Sequence, residues 1–147
     1  MSPNQIFSIA NFVALCGWLL LILLPGRKWV NLLVAGVALP AAFAALYIVI
    51  VAVHFVGSAG GFSTLPDVAL LFSNPWMLLA GWIHYLAFDM LAGSWEARDS
   101  RERGIPHIFV VPCLILTFLF GPAGWLLYLG VRSRATGIAR HTERSTM

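Results

Sequence analysis

The chain has 147 residues, of which 60% are hydrophobic and only 10% are charged. Since an ordinary soluble domain is about one quarter charged, this composition indicates an integral membrane protein. The formal net charge of +3 comes from basic residues at the ends of apolar segments, which favours lipid headgroup contacts over nucleic-acid binding. Cys16 and Cys113 lie inside apolar runs, so a disulfide framework is not expected.

Four apolar runs are long enough to cross a bilayer, which takes on the order of 20 residues. We therefore predict an all-α integral membrane bundle of four transmembrane helices, at about residues 6–24, 29–56, 75–95 and 108–131. Residues 1–131 form the predicted transmembrane domain, and residues 132–147 form a basic, flexible tail. The first run is expected to be retained rather than cleaved, because no Lys or Arg precedes it and no small-residue cleavage pattern follows it.

Proline and glycine mark the ends and breaks of these runs. Pro25 and Gly26 predict the end of the first span, and Asn74 followed by Pro75 predicts the start of the third. Pro40 predicts a kink in the second span. Gly121 with Pro122 predicts another in the fourth, where the Thr117 hydroxyl one turn upstream could satisfy a freed carbonyl.

Two segments between the spans are too short or too charged to cross. Residues 66–72 are apolar but short, and predict an interfacial or re-entrant turn of helix. Residues 96–107 alternate in charge and predict a loop at headgroup level. With four crossings, the arginines of the tail would face one side and the remaining basic residues the other, so the charge count does not fix the orientation.

One face of the third span carries polar and aromatic side chains. Trp82, Tyr85, Asp89, Gly93 and Glu96 recur at spacings of three and four, so they share a helix face that is expected to look into the bundle. An ionisable group at membrane depth is a functional candidate by default. Asp89 could therefore serve as a general acid or base, or pair structurally with Tyr85 or a loop arginine.

Other titratable residues offer weaker candidates. His84 lies about 140° from Asp89 around the helix, so it would meet a different neighbour. His107 sits at the mouth of the fourth span, where it could join Asp89, Glu96 and Asp99 in one site. No metal centre is predicted, although these four residues leave a single metal open, and the scarcity of histidine excludes a membrane di-iron enzyme. The plain alternative for the charged segment is a loop that pairs its own charges.

Several helix and loop signatures, taken in order, resemble the neoxanthin synthase family, also called the abscisic-acid-deficient type. Its plant members are plastid membrane proteins needed to make neoxanthin from violaxanthin. The resemblance covers about half of the chain. It rests on residues 74–76 (NPW), 81–89 (GWIHYLAFD), 98–101 (RDSR), 104–107 (GIPH), 111–114 (VPCL) and 117–124 (TFLFGPAG).

The resemblance implies a carotenoid-linked, redox-neutral isomerisation without a cofactor. An acid would protonate an epoxide oxygen while a base removes a proton from the polyene. In that scheme Asp89 is the acid and His84 or His107 its counterpart. The residues expected to contact the substrate or its headgroup-level end are Trp82, Tyr85, Phe88, Glu96, Asp99, Arg101 and Arg103.

Two hypotheses of different class follow. The first is a membrane-embedded isomerase of a carotenoid or isoprenoid lipid, acting by acid-base chemistry. The second is a non-catalytic membrane protein that binds a carotenoid, a lipid or a partner membrane protein. In both, the expected location is the bacterial inner membrane and the partners are an apolar lipid and the bilayer, with no nucleic acid; a homo-oligomer is left open.

Overall fold

The computed structural model describes residues 1–27, 29–30 and 38–145, with side chains to residue 135. All regular structure in this part of the chain is helical, which confirms the all-α class. The six helices are α1 (Pro3–Leu23), α2 (Ala38–His54), α3 (Leu65–Phe72), α4 (Pro75–Glu102), α5 (His107–Phe120) and α6 (Pro122–Ser145). The kink predicted at Pro40 borders on residues 31–37, which lie outside the described residues.

One of the described helices is both long and apolar. Only α1 among the described helices is both long enough and apolar enough to cross a bilayer by these two measures, whereas α2 and α5 are shorter apolar helices. This helix supports a membrane location. The division of the chain into four spans and a flexible tail stays a prediction.

Helix starts follow from capping residues in the sequence. Ser2 and Gln5 form a reciprocal capping box at the start of α1, and Pro25 and Gly26 follow its end. The Asn74 side chain accepts a hydrogen bond from the Trp76 backbone nitrogen at 2.9 Å, and Pro75 occupies the first position of α4. The helix start predicted at Asn74 and Pro75 is therefore confirmed.

Helix α4 is the centre of the described fold, since it packs against each of the other five helices whose bounds are given above. It continues through Glu102, so the loop predicted from residue 96 onward is wrong over its first two turns. The cause is local: this stretch holds no proline or glycine before Gly104, and Arg103 forms an ion pair with Asp99 at the helical i,i+4 spacing.

The fourth apolar run forms two helices rather than one kinked helix. The helix breaks at Gly121, whose φ of 24° and ψ of −87° depart from helical values. Helix α6 then folds back along α5. Gly124 allows the two helices to approach closely, since a Cβ at this position would collide with the Thr117 backbone nitrogen. Helices α5 and α6 thus form an antiparallel hairpin against the second half of α4.

Candidate functional site

A cavity of about 410 Å³ lies between α1, α4 and α5, and we call it the Asp89 cavity. Four aromatic rings dominate its walls, together with aliphatic side chains and two polar groups. Such walls suit an apolar ligand that carries few polar atoms. The residues that line it are Asn11, Ala14, Leu15, Trp18, Trp82, Tyr85, Leu86, Asp89, Phe118 and Leu119.

The Asp89 carboxyl is half-buried and faces neighbouring helices. Its Oδ2 atom is inaccessible to solvent and has no hydrogen-bond partner among the described residues. On the other side it lies against Gly121, where an added Cβ would collide with Oδ1. A buried acceptor without a partner is uncommon, since most buried polar atoms are hydrogen-bonded, so Asp89 is a candidate functional residue.

Polar neighbours of Asp89 lie on the same side of α4. The Tyr85 hydroxyl, one turn earlier, donates a hydrogen bond to the Leu119 carbonyl at 3.5 Å. The Trp82 Nε1 donates to the Asn11 side-chain oxygen at 2.8 Å. Further along the same face, the Trp18 ring packs directly over Gly93. The helix face predicted from sequence spacing therefore looks onto α1 and α5.

The structure does not bring either histidine to Asp89. His84 is exposed and contacts the rings of Tyr47 and Phe88, at centroid distances of 5.4 and 4.6 Å. It lines a different cavity, of about 390 Å³, on the α2 side of α4. Phe88 is 59% exposed, so it also lies away from the Asp89 cavity. The expectation that His84 complements Asp89 is not supported by this geometry.

His107, the first residue of α5, lies beside the C-terminal end of α1. Its Nε2 atom lies 2.8 Å from the carbonyl oxygen of Ile22. This contact ties the start of α5 to the end of α1. His107 is therefore a helix-packing residue in this structure, and the predicted pairing with Asp89 is not formed.

Glu96 is completely buried, two turns beyond Asp89. The Thr117 hydroxyl donates a hydrogen bond to Glu96 Oε1 at 2.8 Å, while Oε2 has no partner within the described part of the chain. The expectation that Thr117 satisfies a backbone carbonyl is therefore wrong. The helix breaks at Gly121 rather than kinking there, and the Thr117 side chain points to Glu96 on α4.

Asp99 is the centre of a charged group that we call the Asp99 cluster, formed with Tyr128, Arg103 and Arg132. The Tyr128 hydroxyl donates to Asp99 Oδ2 at 2.6 Å, and the Nε atoms of Arg103 and Arg132 lie 2.8 and 2.9 Å from the same oxygen. Burial acts to raise the pKa of Asp99, but the three hydrogen bonds outweigh it and hold this pKa below its usual value.

Sequence reasoning missed two members of the Asp99 cluster. Tyr128 and Arg132 lie on α6, and only the reversal at Gly121 carries them back to the end of α4. The Arg132 guanidinium also lies 5.7 Å from the centre of the Trp95 ring. A tyrosine and an arginine one helical turn apart were the available signal, but a single straight fourth span would have placed them at the opposite membrane face.

Arg101, another residue predicted to contact the substrate, lies outside both the Asp89 cavity and the Asp99 cluster. Arg101 donates a hydrogen bond to the Pro25 carbonyl, which joins α4 to the end of α1. No group of three or more His, Cys, Asp or Glu side chains arranged to hold a metal ion occurs among the described residues. Asp89, Glu96, Asp99 and His107 thus have four separate environments. Only Asp89 lines the aromatic cavity.

Comparison with protein families places most of the chain in a family model. The model of the ABA DEFICIENT 4-like family matches residues 5–128. That range includes the Asp89 cavity and the α5–α6 hairpin as far as Tyr128. No curated protein and no solved structure matches the chain.

Proposed function

This chain belongs to the ABA DEFICIENT 4-like family, and from that premise we propose that it is a membrane-embedded isomerase of a carotenoid or another isoprenoid lipid. The observation that carries the proposal is Asp89, a carboxyl with one unpartnered buried oxygen in an aromatic cavity. Its substrate would be a long apolar molecule with an oxygen-bearing end group.

The shape of the cavities supports a long ligand. The Asp89 cavity of about 410 Å³ is within the usual range for ligand pockets, and it suits one end group rather than a whole carotenoid. A second cavity of about 490 Å³ shares Trp82 with it and extends along α1 and α4 toward Pro3. The end group would lie at Asp89, and the polyene would continue past Trp82 along this groove.

The chemistry needs no oxidant or reductant. A protonated Asp89 donates its proton to the ring oxygen of the end group as a carbon–oxygen bond breaks. The resulting carboxylate then removes a proton from the neighbouring carbon, and the electrons of that carbon–hydrogen bond form the new double bond. One proton enters and one leaves, so the carboxyl returns to its starting state.

This scheme differs from one that pairs Asp89 with a histidine. A single carboxyl performs both transfers in this scheme, since the group that gives up its proton takes one back from the neighbouring carbon. Tyr85 lies one turn away and lines the same cavity, and in this proposal its hydroxyl orients the end-group oxygen. Tyr85 therefore replaces His84 and His107 as the proposed partner of Asp89.

The test uses a carotenoid-producing host that expresses the full chain. Asp89→Asn keeps the shape of the side chain but removes the acid, so product formation should fall by about 100-fold or more. The matched control is Asp67→Asn, because Asp67 is a carboxyl in the first turn of α3 that accepts a hydrogen bond from the Thr64 hydroxyl, away from the Asp89 cavity. Liquid chromatography with mass spectrometry of the host lipids, normalised to purified protein, gives the measurement.

Three results separate the alternatives. Loss of product with Asp89→Asn but not with Asp67→Asn supports the isomerase. Undiminished product with Asp89→Asn shows that the catalytic assignment is wrong. If wild-type protein is purified with a bound pigment that the host makes unaided, and no new product forms, the protein binds the lipid without converting it.

A further inference from the structure

The directions of the helices determine which chain segments share an end of the bundle. Helices α1 and α4 run the same way: the rings of Phe7 and Trp82 are 5.5 Å apart near their starts, and Arg101 bonds the Pro25 carbonyl near their ends. Helix α2 runs the opposite way, since His54 at its end stacks on Trp76 at the start of α4.

The α5–α6 hairpin begins and ends at the same end of the bundle. Helix α5 starts where His107 contacts Ile22, and it reaches only as far as Asp89, which lies midway along α4 and touches Gly121. Its 14 residues measure about 21 Å at 1.5 Å per residue, less than the roughly 30 Å of a hydrocarbon core. Helix α6 then returns until Arg132 meets Asp99.

This return places every arginine whose side chain is described at one end, which we call the arginine end. Acidic side chains near them are Asp99 and Glu102, apart from the buried Glu96, so this end is strongly positive. At the opposite end, around the start of α1 and around α3, the described side chains include no Lys or Arg, and Asp67 is acidic. The members of the arginine end are Arg27, Arg98, Arg101, Arg103, Arg132 and Arg134.

We infer that the chain crosses the membrane three times, through α1, α2 and α4, that α5–α6 is a re-entrant hairpin, and that the arginine end binds anionic lipid headgroups of the cytoplasmic leaflet. The inference rests on the membrane location in the proposed function. Short segments rich in Lys and Arg remain on the cytoplasmic side. Clusters of about four to eight such residues beside a membrane helix attract anionic phospholipids.

The arrangement also explains how polar groups are tolerated at depth. The hairpin buries its break at Gly121 against Asp89 and seats Thr117 on Glu96, so its irregular backbone packs against protein. Backbone breaks inside a bilayer are tolerated where protein surrounds them. A single fourth crossing would instead leave Asp99 without Tyr128 and Arg132.

Cysteine labelling tests the topology. In a Cys16→Ala, Cys113→Ala background, single cysteines are placed at four exposed positions: Ser2→Cys and Ser63→Cys at one end, Glu102→Cys and Ser133→Cys at the other. A membrane-impermeant maleimide is applied to spheroplasts of a bacterial host and to lysed cells. We expect the first pair to react in spheroplasts and the second pair only after lysis.

The labelling pattern can overturn the inference in two ways. Reaction of Ser2→Cys and Ser133→Cys on the same side would indicate an even number of crossings. Reaction of the second pair alone in spheroplasts would place the arginine end outside. Because this readout does not depend on Asp89 chemistry, it distinguishes failure of the topology from failure of the isomerase.

Lipid retention tests the headgroup partner. The purified protein is placed in bilayer discs of equal phosphatidylglycerol and phosphatidylcholine, and retained lipids are counted by native mass spectrometry. Wild type should retain several-fold more phosphatidylglycerol, and Arg98→Gln with Arg134→Gln should reduce the preference at least twofold. Glu102→Gln, the matched control of opposite sign, should increase it. Equal retention of both lipids by wild type would overturn the headgroup assignment.

Discussion

Two carboxyls on α4 lie about three helical turns apart and have opposite surroundings. Asp89 lines an aromatic cavity, and its Oδ2 has no partner among the described residues. Asp99 receives hydrogen bonds from Tyr128, Arg103 and Arg132. The same helix thus presents one carboxyl to a cavity and uses the other to hold α6 in place.

The difference shows why charge alone does not identify a catalytic residue. A carboxylate already neutralised by two arginines has little capacity left to exchange a proton with a substrate. A half-buried carboxyl without a charged partner keeps that capacity, at a cost in stability. Substitutions should therefore separate the two, with stability governed by Asp99 and activity by Asp89.

The largest expected effect is on stability. Asp99→Ala removes the carboxylate that accepts hydrogen bonds from two arginines and from a buried tyrosine hydroxyl. Breaking a buried ion pair costs about 3–5 kcal/mol, but the Arg103 and Arg132 side chains are 34% and 35% exposed, so we expect about 2–3 kcal/mol. Denaturant unfolding in detergent micelles gives the measurement. Glu102→Ala, an exposed control in the same turn, should change stability by less than about 0.5 kcal/mol.

A smaller loss is expected from the tyrosine of the same cluster. Tyr128→Phe removes one hydrogen bond to a charged acceptor, at a cost of about 1.5 kcal/mol in the same unfolding experiment. The control is Tyr47→Phe, because the described contact of Tyr47 is a ring contact with His84 rather than a hydroxyl bond. Equal losses in both variants would show that Tyr128 stabilises the hairpin through its ring alone.

The third prediction perturbs Asp89 without changing it. Gly121→Ala adds a Cβ that collides with the Asp89 carboxylate, at a backbone φ that disfavours side chains. We expect conversion per folded protein to fall about tenfold, equivalent to about 1.4 kcal/mol in the barrier. Gly130→Ala is the control on α6, since nothing lies within 4 Å of its added Cβ. Unchanged conversion in Gly121→Ala would indicate that the position of the Asp89 carboxyl does not affect the reaction.

Local signals predicted the parts of the fold that local interactions decide. The start of α4 follows from Asn74 and Pro75, and the face shared by Tyr85 and Asp89 follows from helical spacing. The separation of His84 from Asp89 was also readable from the angle between them. The spacing of residues along α4 does not predict which neighbouring helix packs against each of its faces.

The reversal at Gly121 shows where sequence reasoning ends. A glycine followed by proline is compatible with a kink or with a turn, and the choice depends on tertiary packing. Here Gly124 allows α6 to pack closely against Thr117, and Arg132 then reaches Asp99. Neither contact can be predicted from the hydrophobic periodicity of the sequence, which therefore indicates a single span for the fourth apolar run.

The smallest effect is a pH dependence that isolates the Asp99 cluster. Because the folded pKa of Asp99 lies below its unfolded value, its contribution to stability is complete well above the unfolded pKa of about 3.9, begins to decline near that pH, and is lost as the pH falls through the folded value. The stability difference between wild type and Asp99→Asn should thus be constant from pH 7 to 5 and narrow by about 0.3 kcal/mol at pH 4. Denaturant unfolding at these pH values tests it. A difference that widened on acidification would mean that Asp99 is protonated in the folded protein, and the contrast with Asp89 would then be lost.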